Sequence, residues 1–177
     1  IADGTAVKTP GKNIFPYIQK NLDDIITVPD EELVVAFLDI VENHKMVVEN
    51  SGLLTVAALK HLNVQNQRVV SILSGGNMDI ITMSSVVQQG LIFRDRIFTV
   101  SVLLPDKPGM LSKVADVQAK ENGNVIKLEH NQFVSINRSA AVELRITLET
   151  FGTEHKNQII KALEEKGYQP KQVRTNI

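Results

Sequence analysis

The sequence predicts two fold types in series: an α/β first half, then an α+β, ferredoxin-like second half. Three observations carry this prediction. Up to about residue 93, strand-like apolar runs alternate with runs of helical period. Beyond it, alternating strands and two helices follow in the order βαββαβ within about 80 residues. The charge balance changes at the same place. Residues 1–93 carry six Lys/Arg against ten Asp/Glu, and residues 94–177 carry thirteen against ten. Two domains, 1–93 and 94–177, are therefore expected.

In the first half, Asp24 to Val28 is a short apolar strand candidate after a polar turn at Asn21 to Asp23. Pro29-Asp30-Glu31-Glu32 then opens a helix, since proline suits a first turn and carboxylates favour the positive end of the helix dipole. Leu33, Val34, Phe37, Leu38 and Val41 follow at helical spacing and predict its buried stripe. Met46 to Glu49 is a second strand candidate, and Ser51-Gly52 precedes a helix with Leu54, Ala57, Ala58, His61 and Leu62 on one face. The β-branched run Arg68 to Leu73 predicts a strand buried on both faces. It leads straight into Ser74-Gly75-Gly76-Asn77 and a third helix, Met78 to Gln89, ended by Gly90.

In the second half, Arg96 to Leu104 alternates, with Phe98, Val100, Val102 and Leu104 on one side. Pro108-Gly109 opens a helix bearing Leu111, Val114, Ala115 and Gln118, closed at Asn122-Gly123. Val125 to Phe133 reads as the next strand. Ala141 to Glu149 turns Val142, Leu144, Ile146 and Leu148 inward and Glu143, Arg145, Thr147 and Glu149 outward. A helix through Ile159, Ile160 and Leu163 ends at Gly167, and Tyr168 to Val173 is the last strand.

The composition excludes several chemistries. Without cysteine there is no disulfide scaffold, thiolate metal site, iron–sulfur cluster or thiol nucleophile. The four histidines form no ligand pair on one helical turn, so no metal site is expected. No apolar run approaches the ~20 residues of a membrane span, and no leader opens the chain, which makes a cytoplasmic protein the expectation. The basic residues of the second half are scattered without interleaved aromatics, which argues against nucleic-acid binding.

Two segments invite a ligand. Ser74-Gly75-Gly76-Asn77 stands between a strand and a helix, where glycines let backbone approach a ligand and free amides suit an anion. The same pattern describes a tight turn in which Ser74 or Asn77 caps the helix. Leu104-Pro105-Asp106-Lys107-Pro108-Gly109-Met110-Leu111 lies between the first strand and helix of the βαββαβ unit. Asp106 is placed to cap that helix, Pro108 to start it, and Gly109 to leave its first amides open to a carboxylate. Spacing alone favours a plain capped turn. His130 and Asn131 stand mid-strand, where they can line the same pocket or serve the strand alone.

Four segments together resemble a known family. Ile1-Ala2-Asp3-Gly4-Thr5-Ala6-Val7, Asp23-Asp24-Ile25, Glu49-Asn50-Ser51-Gly52 and Leu73-Ser74-Gly75-Gly76-Asn77 occur in this order. The set is similar to the C-terminal part of the catalytic domain of the threonine dehydratases (threonine ammonia-lyases), which are fold-type II pyridoxal phosphate enzymes. Residues 94–177 resemble an ACT regulatory domain. The resemblance implies that residues 1–93 form part of an open α/β sheet and that the cofactor is pyridoxal 5′-phosphate. By this match Ser74 faces the pyridine nitrogen, Gly75 and Gly76 let the ring lie close, Gly4 borders it with backbone, and Glu49 lies near it. It further implies that Asp106, Lys107, Pro108, Gly109, Met110 and Leu111, faced by Asn124, Val125 and Ile126, bind a small amino-acid effector such as isoleucine or valine. ACT–ACT contact in a homodimer or homotetramer would complete that pocket.

The family's Schiff-base lysine stands in a Ser-Xaa-Lys motif that this chain lacks, since Ser112 and Lys113 are adjacent. The chain by itself is thus expected not to turn over L-threonine. An alternative is a non-enzymatic amino-acid-binding sensor, and another is a relative directed at serine, a dehydratase or racemase.

Overall fold

The computed structural model describes residues 1–132 and 142–176. The chain divides into two compact units, Ile1–Gly90 and Leu91–Ile177.

The first unit is built on helices and turns. A 3-10 turn at Asp3–Thr5 is followed by α1 (Phe15–Asn21) and α2 (Asp30–His44). A 3-10 turn at Asn50–Leu53 runs into α3 (Leu54–Ala57), and a further turn, Ala58–His61, precedes α4 (Ile80–Phe93). Helix α2 starts after Pro29, carries Asp30, Glu31 and Glu32 in its first turn, and stops at Lys45 in the left-handed conformation. Its inner stripe, Leu33, Val34, Phe37 and Ile40, packs with Val48, Leu53, Ala57 and Val86 into one core.

The three strand candidates of the first half form no strand ladder among the described residues. The reason is that a strand exists only where a neighbour accepts its amides and donates to its carbonyls. The Arg68 to Leu73 run, expected buried on both faces, leaves Val70 88% and Ile72 71% exposed. It is tethered by side chains instead: Thr55 Oγ1 donates to the Ile72 carbonyl at 2.9 Å, and Ser71 Oγ to that of Thr55 at 3.3 Å.

Helix α4 also departs from expectation. It continues through Gly90, which is buried inside the helix rather than closing it. A β-carbon there would stand 2.6 Å from Leu38 Cδ1 and 3.3 Å from Val34 Cγ1, so this glycine serves the packing of α4 against α2. The cap at the start of α4 is neither Ser74 nor Asn77. Asp79 accepts from the Thr82 amide at 3.0 Å and from its hydroxyl at 3.2 Å, which hold its carboxyl below the usual aspartate range.

The second unit is a four-stranded antiparallel sheet with two helices, in the expected βαββαβ order. Its elements are β1 (Ile97–Leu104), α5 (Met110–Lys120), β2 (Asn124–Asn131), β3 (Val142–Glu149), α6 (Thr153–Glu165) and β4 (Lys171–Val173). Phe133 and Ala141, placed at strand ends by the sequence, lie outside the described residues. The sheet order is β2-β3-β1-β4, with Leu104 opposite Val142 and Ile97 opposite Glu149. Phe98, Val100, Val102 and Leu104 meet Leu144, Ile146 and Leu148 in the core, together with Val114, Val117, Ile159 and Leu163.

The α5 stripe is rotated from the expected one. Val114, Val117 and Gln118 are buried, while Leu111 is 41% exposed and Ala115 is exposed. Neither side-chain polar atom of Gln118 has a partner among the described residues, a desolvation cost of about 1–3 kcal/mol. On the outer sheet face Glu143 and Thr147 are buried although their parity is outward. Each is satisfied across the strand pair: Ser101 Oγ donates to Glu143 Oε1 at 2.6 Å, and the Thr99 and Thr147 hydroxyls meet at 2.9 Å.

Candidate functional site

In the first unit, three segments converge on the carboxylate of Glu49. Ser51 Oγ donates to Glu49 Oε1 at 2.6 Å, and the Asn77 amide donates to Oε2 at 3.2 Å. The backbone closes the same circle, with the Glu49 amide reaching the Gly75 carbonyl at 3.4 Å and the Gly52 amide donating to the Glu49 carbonyl at 2.9 Å.

Glycines make this convergence possible. Gly75 has φ +77°, a region that favours glycine, and a β-carbon there would fall 2.3–2.6 Å from the Glu49 carboxyl group. At Gly4 it would fall 2.7 Å from Ser51 Oγ, and at Gly52 only 1.6 Å from the carbonyl oxygen of Ser74. Gly76 faces open space.

A cavity of about 360 Å³ opens beside this cluster, lined by Gly4, Glu49, Asn50, Ser51, Asn77 and Asp79 among others. Gly4 and Glu49, expected from the sequence, thus share one cavity, and Gly75 lies against Glu49 from the loop side. Ser74 and Gly76 do not line it. Ser74 is exposed, and its hydroxyl bonds to no described residue. Ser51 and Gly52 were not expected as site residues. Their only signal was membership of the Glu49-Asn50-Ser51-Gly52 segment.

In the second unit, Asp106, Lys107, Pro108, Gly109, Met110 and Leu111 line a cavity of about 300 Å³, closed by His130 and Val142. Asp106 does not cap α5, and Pro108 does not begin it. The helix starts at Met110 with Gly109 as its N-cap at φ 82°, and no side chain caps its first amides. These amides remain available to an anion. His130 was one of two readings for a mid-strand histidine, and it lines this cavity. Asn124, Val125 and Ile126 lie elsewhere. They stand at the start of β2, roughly 13–20 Å of strand from His130. The cause is topological, because a strand reached by a helical crossover runs parallel to β1 and arrives at the loop only with its far end.

Among the described residues no cluster of three or more His, Asp or Glu could hold a metal ion. No described helix is long and apolar enough to cross a membrane.

Residues 1–75 match the family model described as "Pyridoxal-phosphate dependent enzyme". Among curated proteins, the chain is 36% identical over 170 residues to an L-threonine ammonia-lyase of Geobacter sulfurreducens, covering 95% of this chain and 42% of that protein. It is 32% identical over 170 residues to an L-threonine ammonia-lyase of Thermotoga maritima, covering 96% of the chain and 42% of the relative. It is 32% identical over 173 residues to the L-threonine dehydratase biosynthetic IlvA of Pasteurella multocida, covering 94% and 32%. The chain thus spans about two fifths or less of the length of these relatives.

Proposed function

We propose that this chain is the C-terminal part of a cytoplasmic threonine dehydratase whose second unit senses a small amino acid, a reading supported by the match of residues 1–75 to the family model of pyridoxal-phosphate dependent enzymes. The reaction converts L-threonine to 2-oxobutyrate and ammonia. The observation that carries the reading is the convergence of Gly4 and Gly75 on the Glu49 carboxylate, inside the segment the family model matches. Relatives named L-threonine ammonia-lyase, similar along 95% and 96% of the chain, support the choice of substrate.

The residues fit the cofactor. Gly4 lines the cavity with backbone alone, a β-carbon at Gly75 would strike the Glu49 carboxyl group, and the Ser74 hydroxyl bonds to no described residue. Pyridoxal phosphate, when bound, supplies an electron sink for bond breaking at the substrate α-carbon. Ser74 would meet its ring nitrogen. A neutral hydroxyl donates there without holding the nitrogen protonated, as a carboxylate would. That milder electron withdrawal suits elimination of a β-hydroxyl. Gly4 and Gly75 admit the ring, and Glu49 holds the Asn77 amide and Ser51 hydroxyl around it.

The second unit would receive the effector's carboxylate at the open amides of α5, above Gly109. Edge strand β2, with Val125, Ile126 and Leu128 about 40% exposed, would pair with its copy in a dimer. An antiparallel pair centred on β2 sets Asn124 of the partner subunit opposite Asn131, at the loop end. This brings Asn124, Val125 and Ile126 to the effector site from the second copy.

The test is 2-oxobutyrate formation from L-threonine and pyridoxal phosphate. The complete polypeptide carrying this chain should be active, and the 177-residue chain, with no Ser-Xaa-Lys lysine, should not. An inactive complete polypeptide, or an active isolated chain, would overturn the reading.

A further inference from the structure

We propose that Ser51 is a positioning residue of the cofactor site, acting through Glu49. This rests on the functional reading above. Ser51 touches both sides of the cluster: its Oγ lies 2.7 Å from where a Gly4 β-carbon would be and donates to Glu49 Oε1 at 2.6 Å. With Oε1 fixed, Oε2 is presented to the Asn77 amide and the carboxyl lies flat on Gly75. The contact path therefore runs from the Gly4 turn through one hydroxyl and one carboxylate to the Ser74–Asn77 loop.

Both segments border the cavity of about 360 Å³, at Gly4 and at Asn77, where the ring would lie beside Glu49. A glutamate has three rotatable side-chain bonds, and an exposed one samples many rotamers. Here the hydroxyl hydrogen of Ser51 selects the rotamer that spans the gap. Gly52, pressed against the Ser74 carbonyl, prevents the Ser51 backbone from drifting toward that loop. Ser51 needs no contact with the cofactor to set the spacing of its site.

The experiment uses the complete polypeptide with pyridoxal 5′-phosphate as the probe. Its dissociation constant is measured from the cofactor's absorbance, and kcat and KM for L-threonine at saturating cofactor. Ser51→Ala should weaken cofactor binding about tenfold, the equivalent of one lost charge-assisted hydrogen bond. It should lower kcat while leaving KM within about twofold. Ser51→Thr, which keeps the hydroxyl, should restore binding to within about threefold of wild type. In a double-mutant cycle, Ser51→Ala should have no further effect once Glu49→Ala is present. Wild-type affinity in Ser51→Ala, or additive effects of the two alanines, would overturn the proposal. If the wild type takes up no cofactor, the functional reading fails instead, so the two failures are distinct.

Discussion

A methyl group on Gly52 would sit 1.6 Å from the carbonyl oxygen of Ser74. That oxygen is backbone, so no rotamer change relieves the clash and the Ser74 loop must move. Gly52→Ala is therefore expected to cost about 2–4 kcal/mol and to displace Ser74. Thermal melting and the backbone amide shifts of Ser74–Asn77 check this, and unchanged shifts would refute it. Glu143 makes a second residue-scale prediction. The Ser101 hydroxyl, chiefly, holds its carboxyl below the usual glutamate range; burial opposes this, and Arg145 adds to the lowering. A carboxylate lowered on folding contributes stability that is present above the unfolded value, about 4.3, and lost as pH falls through the folded one. Glu143→Gln should lose less melting temperature than wild type between pH 6 and 3, and equal slopes would sink the idea. Residue chemistry was only partly legible in advance. Gly75 stood out in its glycine loop, and Gly4 and Glu49 only through the family resemblance, whereas Ser51 and Gly52 matter through contacts 2 and 22 residues away.

At the scale of elements, the second unit was the easier to read. Strands β1 and β3 alternate apolar and polar residues, and that period of two writes their register into the sequence even though Thr99, Ser101, Glu143 and Thr147 are buried on the outer face. The inward set of both strands is the observed core. The first unit lacks that redundancy. A continuous β-branched run such as Arg68 to Leu73 specifies a preference for extension and burial, but pairing depends on a neighbour that the run cannot name. Gly90 shows a second limit: a glycine after a helical run signals either an end or a close helix contact, and Leu38 decides between them. Likewise Asp79, two residues beyond Asn77 and directly before the helix, caps α4 because its carboxylate reaches the Thr82 amide. Hydrogen exchange should expose the difference. Amides of 68–73 are expected to exchange at least tenfold faster than those of the β1 and β3 interior, since only the latter sit in a ladder. Comparable protection in both would mean that the run has found a partner strand in solution.

At the scale of the whole chain, the two units differ in how completely they bury their apolar surface. The second unit encloses its core within one sheet and two helices, so its stability can be raised by a ligand that binds the folded form alone. The first unit leaves Val70, Ile72, Ile80 and Ile81 about 70–90% exposed. The effector prediction belongs to the second unit and follows from linkage. Isoleucine or valine at ten times its dissociation constant should stabilise that unit by about 1.4 kcal/mol. For a domain of this size that raises the melting midpoint by roughly 6–11 °C. The shift is to be followed through amide resonances of β1 and β3, which report the second unit directly. Gly109→Val should abolish it, because φ 82° strains a β-branched residue and the open amides of α5 lie immediately beyond. Retention of the shift in Gly109→Val would place the effector elsewhere, and its absence in wild type with both amino acids would remove these two amino acids as effectors. Loss confined to the glycine variant would tie sensing to the uncapped start of α5, the feature that the sequence marked by Pro108-Gly109 and the fold completes with His130.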